Sequence, residues 1–386
     1  MLFIISAKYT STFEKRTRKE VCRNYKLYYE FFQRCPMKKT VDCTHDAGRY
    51  DYDVKKTVDR VNYFRMMSGL STINQSRDKK INRQQMYGAI IMYQNKYLGH
   101  SVPSNYKCYS SDHAAGPANS NAYMSSDTRT CAAHTIPSYM DDTGVSSLGH
   151  RRWILDPSLS AVSAGICGGY SDLRVMGLPR SNTPSNPSIL AYPSPGYWPI
   201  LKDLSYKVPQ TWHFSRKFTA NDKAEHNSFA AIKKASVKCN NEEYLQSYST
   251  SSSNSVMYPA AVILKLKKSP SVNQVCKVSV STSADTWEYT VKPIDCSNYN
   301  LTAADKKAKK KFDYALNAIV SPLVSTNGED DDFELTAEEE YEEANQEYEP
   351  NQEFEEANQE FEKADSNTNI QGEKTKHHRV RYYPMR

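Results

Sequence analysis

The sequence is most informative in one stretch, Gly149-His150-Arg151-Arg152-Trp153-Ile154-Leu155-Asp156-Pro157. It places a histidine, two arginines and a tryptophan at the start of an apolar segment, and the proline that follows cannot continue a helix. An imidazole can act as an acid, a base or a metal ligand, and the neighbouring ring would fix its orientation. A second isolated histidine, His100, lies upstream, and Asp141-Asp142 lies between the two. The stretch therefore predicts a functional centre.

Two helices are predicted ahead of this stretch. Valines at helical spacing from Val54 predict a first helix, which Gly69 would end. An apolar stripe over residues 86–97 predicts a second helix that ends at Gly99. His100 would then lie at a helix exit, where side chains face a cleft more often than in the middle of a helix.

The remaining body of the chain alternates between loops and strands. Residues 101–146 are rich in Ser, Asn, Asp and Pro, which favours loops with short helices. Residues 159–176 predict short strands, and the proline-dense residues 179–199 predict extended backbone. From residue 212 to 297 apolar residues alternate with polar ones, which predicts a small antiparallel, sandwich-like β domain. The expected fold class is α+β.

The two ends of the chain differ from the body. Residues 8–50 are basic and rich in tyrosine, and they could form a docking helix or a pro-segment. Residues 329–363 are strongly acidic and contain near-repeats, so that like-charge repulsion predicts a disordered tail. The resulting division is an N-terminal segment, a first domain, a β-rich domain and a tail, at 1–50, 51–211, 212–300 and 301–386.

Composition and charge limit the class of protein. The 386 residues are 39% hydrophobic with a mean hydropathy of −0.73, and no apolar run approaches the roughly 18 residues of a transmembrane helix. No interleaved pattern of aromatic residues and arginine indicates nucleic-acid binding. Residues 1–7 are apolar but short for a secretory signal. They are open to two interpretations, the remnant of a signal or an apolar N-terminus.

The nine cysteines are dispersed, and none has the CxxC spacing of a zinc ribbon. In a secreted chain they would form several disulfides with one cysteine left over, and their clustering by region is compatible with local bridges. The alternative is that most are free, buried thiols. Two glycosylation sequons, at 74–76 and 300–302, fit secretion.

Two chemical interpretations of the histidines are open. His100, Asp142 (or Asp141) and His150 could form a three-ligand metal site with an open position, holding Zn²⁺ or another divalent cation, or a hydrogen-bonded acid/base cluster. Each residue type also has a structural use, because a histidine beside a tryptophan is commonly packed and adjacent aspartates commonly build a turn. Arg151 likewise could clamp an anion or tie down a helix end.

The stretch at 149–157 resembles the histidine-containing signature of the CAP superfamily, the SCP-like, cysteine-rich secretory, antigen 5 and pathogenesis-related proteins, in its divergent GHRRWIL form. The order of segments from residue 54 to 215 is similar as well, and more loosely to 297. The family has a cleft with two histidines and two acids. Ser120 stands where one of these acids is expected, and a serine cannot act as a carboxylate base. The resemblance implies a cleft lined by His100, Ser120, Asn121, Asp142, His150, Arg151 and Trp153, with His100 and His150 as the metal ligands.

This resemblance implies a CAP-type α-β-α sandwich followed by the small β domain. It also implies a secreted binding protein, with no enzymatic activity, whose cleft takes a lipid or sterol, a glycan or a host protein. A first alternative is a metal-dependent hydrolase or protease that uses His100, Asp142 and His150. A second alternative is a structural surface scaffold whose acidic tail recruits a basic partner.

Overall fold

We describe the protein from a computed structural model. It describes residues 16–35, 41–44, 51–181, 187, 189–202, 204, 207–216, 232–252, 260–282 and 286–318. Residues 1–7, which suggested a signal, and the acidic residues 329–363 lie outside these ranges.

Seven α-helices lie in the described residues, and a π-helical turn, Tyr25–Tyr29, continues the first of them. In chain order they are α1 Arg18–Asn24, α2 Asp51–Met67, α3 Lys79–Asn95, α4 Ser111–Ala118, α5 Ala132–Asp141, α6 Gly149–Ile154 and α7 Ala303–Ala318.

The described strands form three sheets. They are β1 Asn74–Gln75, β2 Ser120–Met124, β3 Ala161–Cys167, β4 Tyr170–Arg174, β5 Ile189–Tyr192, β6 Gly196–Pro199, β7 Thr211–Arg216, β8 Lys234–Cys239, β9 Glu242–Glu243, β10 Leu245–Ser252, β11 Ala260–Leu266, β12 Cys276–Ser281 and β13 Thr286–Ile294. The sheet orders are β1-β3-β4-β2, β10-β11-β7-β5 and β6-β13-β12-β8-β9. Together with the helices, these sheets confirm the predicted α+β class.

The first sheet has helices on both faces. Side chains of successive strand residues point to opposite faces. On β4, the side chain of Asp172 lies against Gly88 of α3 and Gly116 of α4, whereas Ser171 lies beside Tyr139 of α5. All five residues of β4 are buried, as expected of a strand covered on both sides.

The second and third sheets pack against each other through aromatic side chains. The ring of Phe214 on β7 lies 5.6 Å from that of Trp287 and 6.2 Å from that of Tyr289, both on β13. The predicted strands after residue 212 are present. The third sheet is mixed rather than purely antiparallel, because β6 pairs with β13 in parallel. Strands β5 and β6 precede residue 212, so the β-rich part begins earlier in the chain than we predicted.

Residues 16–35 are part of the folded body. Thr17 begins α1 with a capping box, in which its hydroxyl accepts the Glu20 N–H and the Glu20 carboxylate accepts the Thr17 N–H. The rings of Tyr25 and Tyr29 stack at 5.0 Å and are buried in the main core. The tyrosine-rich segment therefore supplies core side chains.

The first predicted helix is confirmed as α2, and Gly69 adopts a φ of +76° two residues after its end. The second is α3, but its limits differ from the prediction. It begins at Lys79, where the Asp78 carboxylate caps the first turn, and it ends at Lys96 in the left-handed conformation rather than at Gly99.

Four disulfides join eight cysteines, and the ninth, Cys167, is free and buried. The prediction of several bridges with one cysteine left over is confirmed. The idea that the bridges are local is wrong for three of the four, which join cysteines at least 65 residues apart. The pairs are Cys22–Cys296, Cys35–Cys131, Cys43–Cys108 and Cys239–Cys276.

The chain divides into two compact units, Met1–Tyr314 with Arg379–Arg386, and Ala315–His378. The described part of the second unit is the end of α7. Because residues 303–318 are helical, the segment predicted as a disordered tail from 301 begins with a helix. None of the helices in the described residues is long and apolar enough to cross a membrane.

Candidate functional site

Asp142 and His150 of the candidate site meet where α5 ends and α6 begins. Asp142 follows α5 with a φ of +47°, a conformation that Asp tolerates better than most residues. Its carboxylate lies 2.8 Å from His150 Nδ1 and accepts the backbone N–H of Arg151 at 3.2 Å. The first N–H groups of a helix have no partner within that helix, so Asp142 caps α6 from outside it. Two members of the predicted cluster of His100, Asp142 and His150 are therefore in direct contact.

His150 is enclosed on its other sides. Its ring stacks on Tyr139 of α5, with centroids 5.6 Å apart. The Asn121 side chain donates to the His150 carbonyl at 3.0 Å, and the Tyr139 hydroxyl donates to the Asn121 carbonyl at 3.0 Å. Only 1% of His150 and none of Asn121 or Asp142 is exposed to solvent. This network joins α5, α6 and β2 inside the protein.

Arg151 is fully buried and joins the helical part to the β-rich part. Its guanidinium donates to the carbonyls of Met140 at 2.6 Å, Asp141 at 2.6 Å and Thr211 at 2.9 Å, and it lies 4.3 Å from the centre of the Tyr192 ring. Burial lowers the pKa of Arg151, although Tyr192 and the nearby aspartates oppose that effect. With these partners, the guanidinium holds α6 to β5 and β7 and has no open face toward an anion.

His100 and Ser120 lie beside α4. His100 is half-buried, and its Nδ1 is 2.8 Å from the Pro117 carbonyl. The Ser120 hydroxyl is fully buried between Gln85 Oε1, at 2.8 Å, and the Gly116 carbonyl, at 2.6 Å. Where the resembled family has an acid, this chain therefore has a hydroxyl that connects β2 to α3 and α4.

The described residues contain one group of three metal-ligating side chains within 4.8 Å of one another, and it includes neither histidine of the candidate site. It consists of Cys35, Asp53 and Cys131. The two cysteines are joined in a disulfide, and the Asp53 carboxylate accepts the first N–H groups of α5, at Ala132 and Ala133. Thus the structure brings Asp142 and His150 together but does not assemble them with His100 into a three-ligand centre.

Arg152, Asp156 and His213 line a small cavity beside α6. The imidazole of His213 is fully buried. Burial, and then the positive charges of Arg151 and Arg152, hold its pKa well below the usual value. The cavity measures about 10 Å³, which is about the room that one water molecule needs. It is far too small for a sterol or an acyl chain.

Trp153 lies at the edge of this region. It is half-buried, and the Arg180 guanidinium lies 5.6 Å from its ring centre. Arg180 also donates to the carboxylate of Asp156 at 3.1 Å. The tryptophan therefore packs the end of α6 rather than the His150 ring, whose stacking partner is Tyr139.

Sequence reasoning missed Asp172 in the middle of β4. Its carboxylate is completely buried, and neither oxygen has a hydrogen-bond partner of normal geometry among the described residues. Burial raises its pKa well above the usual value, against the attraction of Arg174 and against weak contacts with the backbone N–H groups of Gly165 and of Asp172 itself. A Cβ atom added to Gly88, Gly116 or Gly165 would approach the carboxylate to between 2.0 and 2.8 Å. The one available signal in the sequence was an acidic residue inside a predicted strand, and this signal does not indicate that the side chain is buried.

Comparison with known proteins identifies no relative: no family model, no curated protein and no solved structure matches this chain. The fold and the site define it as an α+β protein with four disulfides. Its assignment to the CAP superfamily depends on the residues quoted above and is a proposal.

Proposed function

We propose that the protein is a secreted, non-enzymatic binding protein of CAP type. Four disulfides support an extracellular location, because such bonds persist in oxidising compartments. Helices on both faces of the first sheet are compatible with the α-β-α sandwich that the resemblance implies.

The observation that carries the non-enzymatic part of this proposal is the burial of the Asp142–His150 pair. A general base must come within hydrogen-bond reach of the proton that it abstracts. His150 is 1% exposed, so neither of its ring nitrogens is accessible from solvent. These side chains fix the junction of α5 and α6, a role that needs no access for a substrate.

The partner is best sought among macromolecules. Asn121, Asp142, His150 and Arg151 are buried, and the cavity beside His213 has room for one water molecule. A lipid or sterol needs a cavity of several hundred Å³. A glycan or a protein can instead bind the outer surface without entering the interior.

The test compares His150→Gln and His100→Gln with the unaltered chain secreted by eukaryotic cells. We expect the secreted protein to contain four disulfides by non-reducing mass spectrometry and to show no tight stoichiometric Zn²⁺ binding by calorimetry. We expect His150→Gln to lower the free energy of unfolding by about 2 to 4 kcal/mol, because it disrupts the buried contact with Asp142. His100→Gln, at a half-buried position, should cost less.

Two results would contradict the proposal. Retention of the protein inside the cell with reduced cysteines would remove the extracellular location. One Zn²⁺ ion per chain, lost in both histidine variants while each remains folded, would favour the metal-dependent hydrolase.

A further inference from the structure

One surface of the protein combines positive charge from three helices. Residues 329–363 carry a formal charge of −16, so the overall charge of +6 leaves +22 on all other residues. Part of this excess is concentrated in the run Lys306-Lys307-Ala308-Lys309-Lys310-Lys311 on α7. Lysine-rich runs of this length are typical of sites that bind polyanions.

Helix α1 adds its cations to those of α7. Hydrogen bonds from Thr302 lower the pKa of Asp305, and the positive charges of Arg23 and Lys19 lower it further. These two α1 side chains therefore lie near the first turn of α7. Lys19, Lys306 and Lys307 are exposed, and Arg23 is half-buried.

Helix α2 approaches α7 on another side. Lys309 lies 3.1 Å from the Asp59 carboxylate, which Lys56 also approaches at 3.6 Å. Burial lowers the pKa of Lys56. The attraction of Asp59 opposes this effect, and the charges of Lys309, Arg60 and Lys55 lower the pKa further. The neighbouring cations thus repel one another, and a bound anion would relieve this repulsion.

The acidic side chains of this surface already have other roles. Glu20 caps α1 by accepting the Thr17 N–H at 2.7 Å, and Asp305 caps α7 by accepting the Thr302 N–H at 2.9 Å. Asp59 pairs with Lys309 and Lys56. Lysine and arginine side chains outnumber these three carboxylates on the three helices, so the surface carries an excess of positive charge.

The surface is held in place covalently. The Cys22–Cys296 disulfide joins α1 to the segment just before α7, and Arg18 donates to the Asp295 carbonyl at 3.3 Å. The Lys309 ammonium also lies 4.8 Å from the centre of the Tyr28 ring. Because their backbones are held together, the helices lose little conformational freedom when the surface binds a partner.

We propose that this basic surface binds a sulfated polysaccharide. The surface is formed by Arg18, Lys19, Arg23, Lys55, Lys56, Lys306, Lys307 and Lys310. The proposal rests on the extracellular location in the proposed function but not on the CAP resemblance. Such a ligand presents closely spaced anions and needs neither an apolar pocket nor a cavity.

Other polyanions fit the surface less well. Among the described residues, neither α1 nor residues 303–310 contain a large hydrophobic side chain that is exposed. This part of the surface therefore lacks an apolar anchor for a bilayer. Single-stranded nucleic acid is typically bound by aromatic side chains that stack on bases. Tyr25, Tyr28 and Tyr29 are instead buried in the core.

The experiment measures binding of a heparin-derived dodecasaccharide to the complete chain by calorimetry at several salt concentrations. The test variant replaces four cations of the surface with glutamine: Lys19, Arg23, Lys306 and Lys307. The matched control variant removes the same charge from exposed lysines on the strands: Lys234, Lys238, Lys265 and Lys277. A second, milder variant changes Lys306 and Lys307 alone, and thermal melting establishes that every variant is folded.

We expect the test variant to bind at least about tenfold more weakly than the control variant. Each ion pair between a cation of the protein and a sulfate group releases counterions, as in nucleic-acid binding. A plot of the logarithm of affinity against the logarithm of salt concentration should therefore have a slope that is smaller by about one unit for each such ion pair that the substitutions remove. The milder variant should lie between the test variant and the unaltered chain, and the desulfated oligosaccharide should not bind.

Equal weakening in the test and control variants would overturn the proposal, because net charge alone would then explain binding. Failure of the unaltered chain to bind the oligosaccharide would also overturn it. So would tighter binding, through the same four residues, of phosphatidylserine vesicles or of single-stranded DNA of equal charge. Intracellular retention with reduced cysteines would instead refute the proposed function. That result comes from a separate measurement, so the two failures can be told apart.

Discussion

Replacement of Asp172 by asparagine should stabilise the protein at neutral pH and change how its stability depends on pH. Asparagine has nearly the same shape as aspartate, so it fits the space that Gly88, Gly116 and Gly165 leave around the carboxylate. It carries no charge at any pH. The substitution therefore removes the cost of ionising a completely buried group that has no hydrogen-bond partner of normal geometry among the described residues.

The sign and the slope of the effect follow from the raised pKa of Asp172. In the unfolded chain the carboxyl ionises near its ordinary pKa of 3.8, whereas burial raises the pKa in the folded protein well above this value. Between the two pKa values, folding takes up a proton, so the parent loses stability as pH rises. The stability of Asp172→Asn relative to the parent should grow by about 1.4 kcal/mol per pH unit in this interval, and it should level off above the folded pKa.

The assay is urea unfolding of the oxidised protein at a series of pH values from acid to neutral. Other buried carboxyls, such as Asp53, whose pKa burial raises to about 6, contribute equally to both chains and cancel in the difference. Asp112→Asn is the control. A hydrogen bond from Gln84 lowers the pKa of the exposed Asp112 carboxyl below its ordinary value of 3.8, so this variant should lose stability relative to the parent as pH rises toward about 4, and the difference should stay constant above that pH.

Parallel stability curves for Asp172→Asn and the parent across the whole pH range would refute this reasoning. They would mean that Asp172 ionises equally easily in the folded and unfolded states, and therefore that its carboxylate has partners or water access.

Two further predictions concern packing and covalent links. Gly88→Ala should lower the free energy of unfolding by about 3 kcal/mol, because its Cβ would lie 2.0 Å from Asp172 Oδ2. Gly149→Ala, where the nearest atom is 3.3 Å away, should change it by less than about 1 kcal/mol, and similar losses for the two would contradict the packing. Removal of the Cys22–Cys296 bridge, which spans 274 residues, should cost about 5 kcal/mol by loop entropy. Non-reducing calorimetry measures this loss, and an unchanged melting temperature would argue against the bridge.

The elements that sequence predicted correctly are those with a local signal. Helix α2 has valines at helical spacing and a glycine beyond its end, and strands β11 to β13 have alternating or continuous apolar residues. The start of α3 was missed because its first turns, from Lys79, are polar. Its cap, Asp78, was the available signal.

The structure brings together only part of the predicted cluster. Asp142 and His150 are eight positions apart in the chain, and the turn between α5 and α6 brings their side chains into contact. His100 lies in a separate segment and contacts Pro117 instead. The sequence names such residues as candidates but contains no measure of the distances between segments.

The sequence by itself determined the α+β class, the strand-rich second half and the presence of an odd cysteine, since all of these follow from local periodicity and composition. The tertiary structure alone decided three other features. These are the long-range disulfide pairs, the burial of His150 and Arg151, and the enclosure of Asp172 by glycines. Each depends on which distant segments pack together, because burial and partner choice are properties of the neighbours in space and not of the neighbours in sequence.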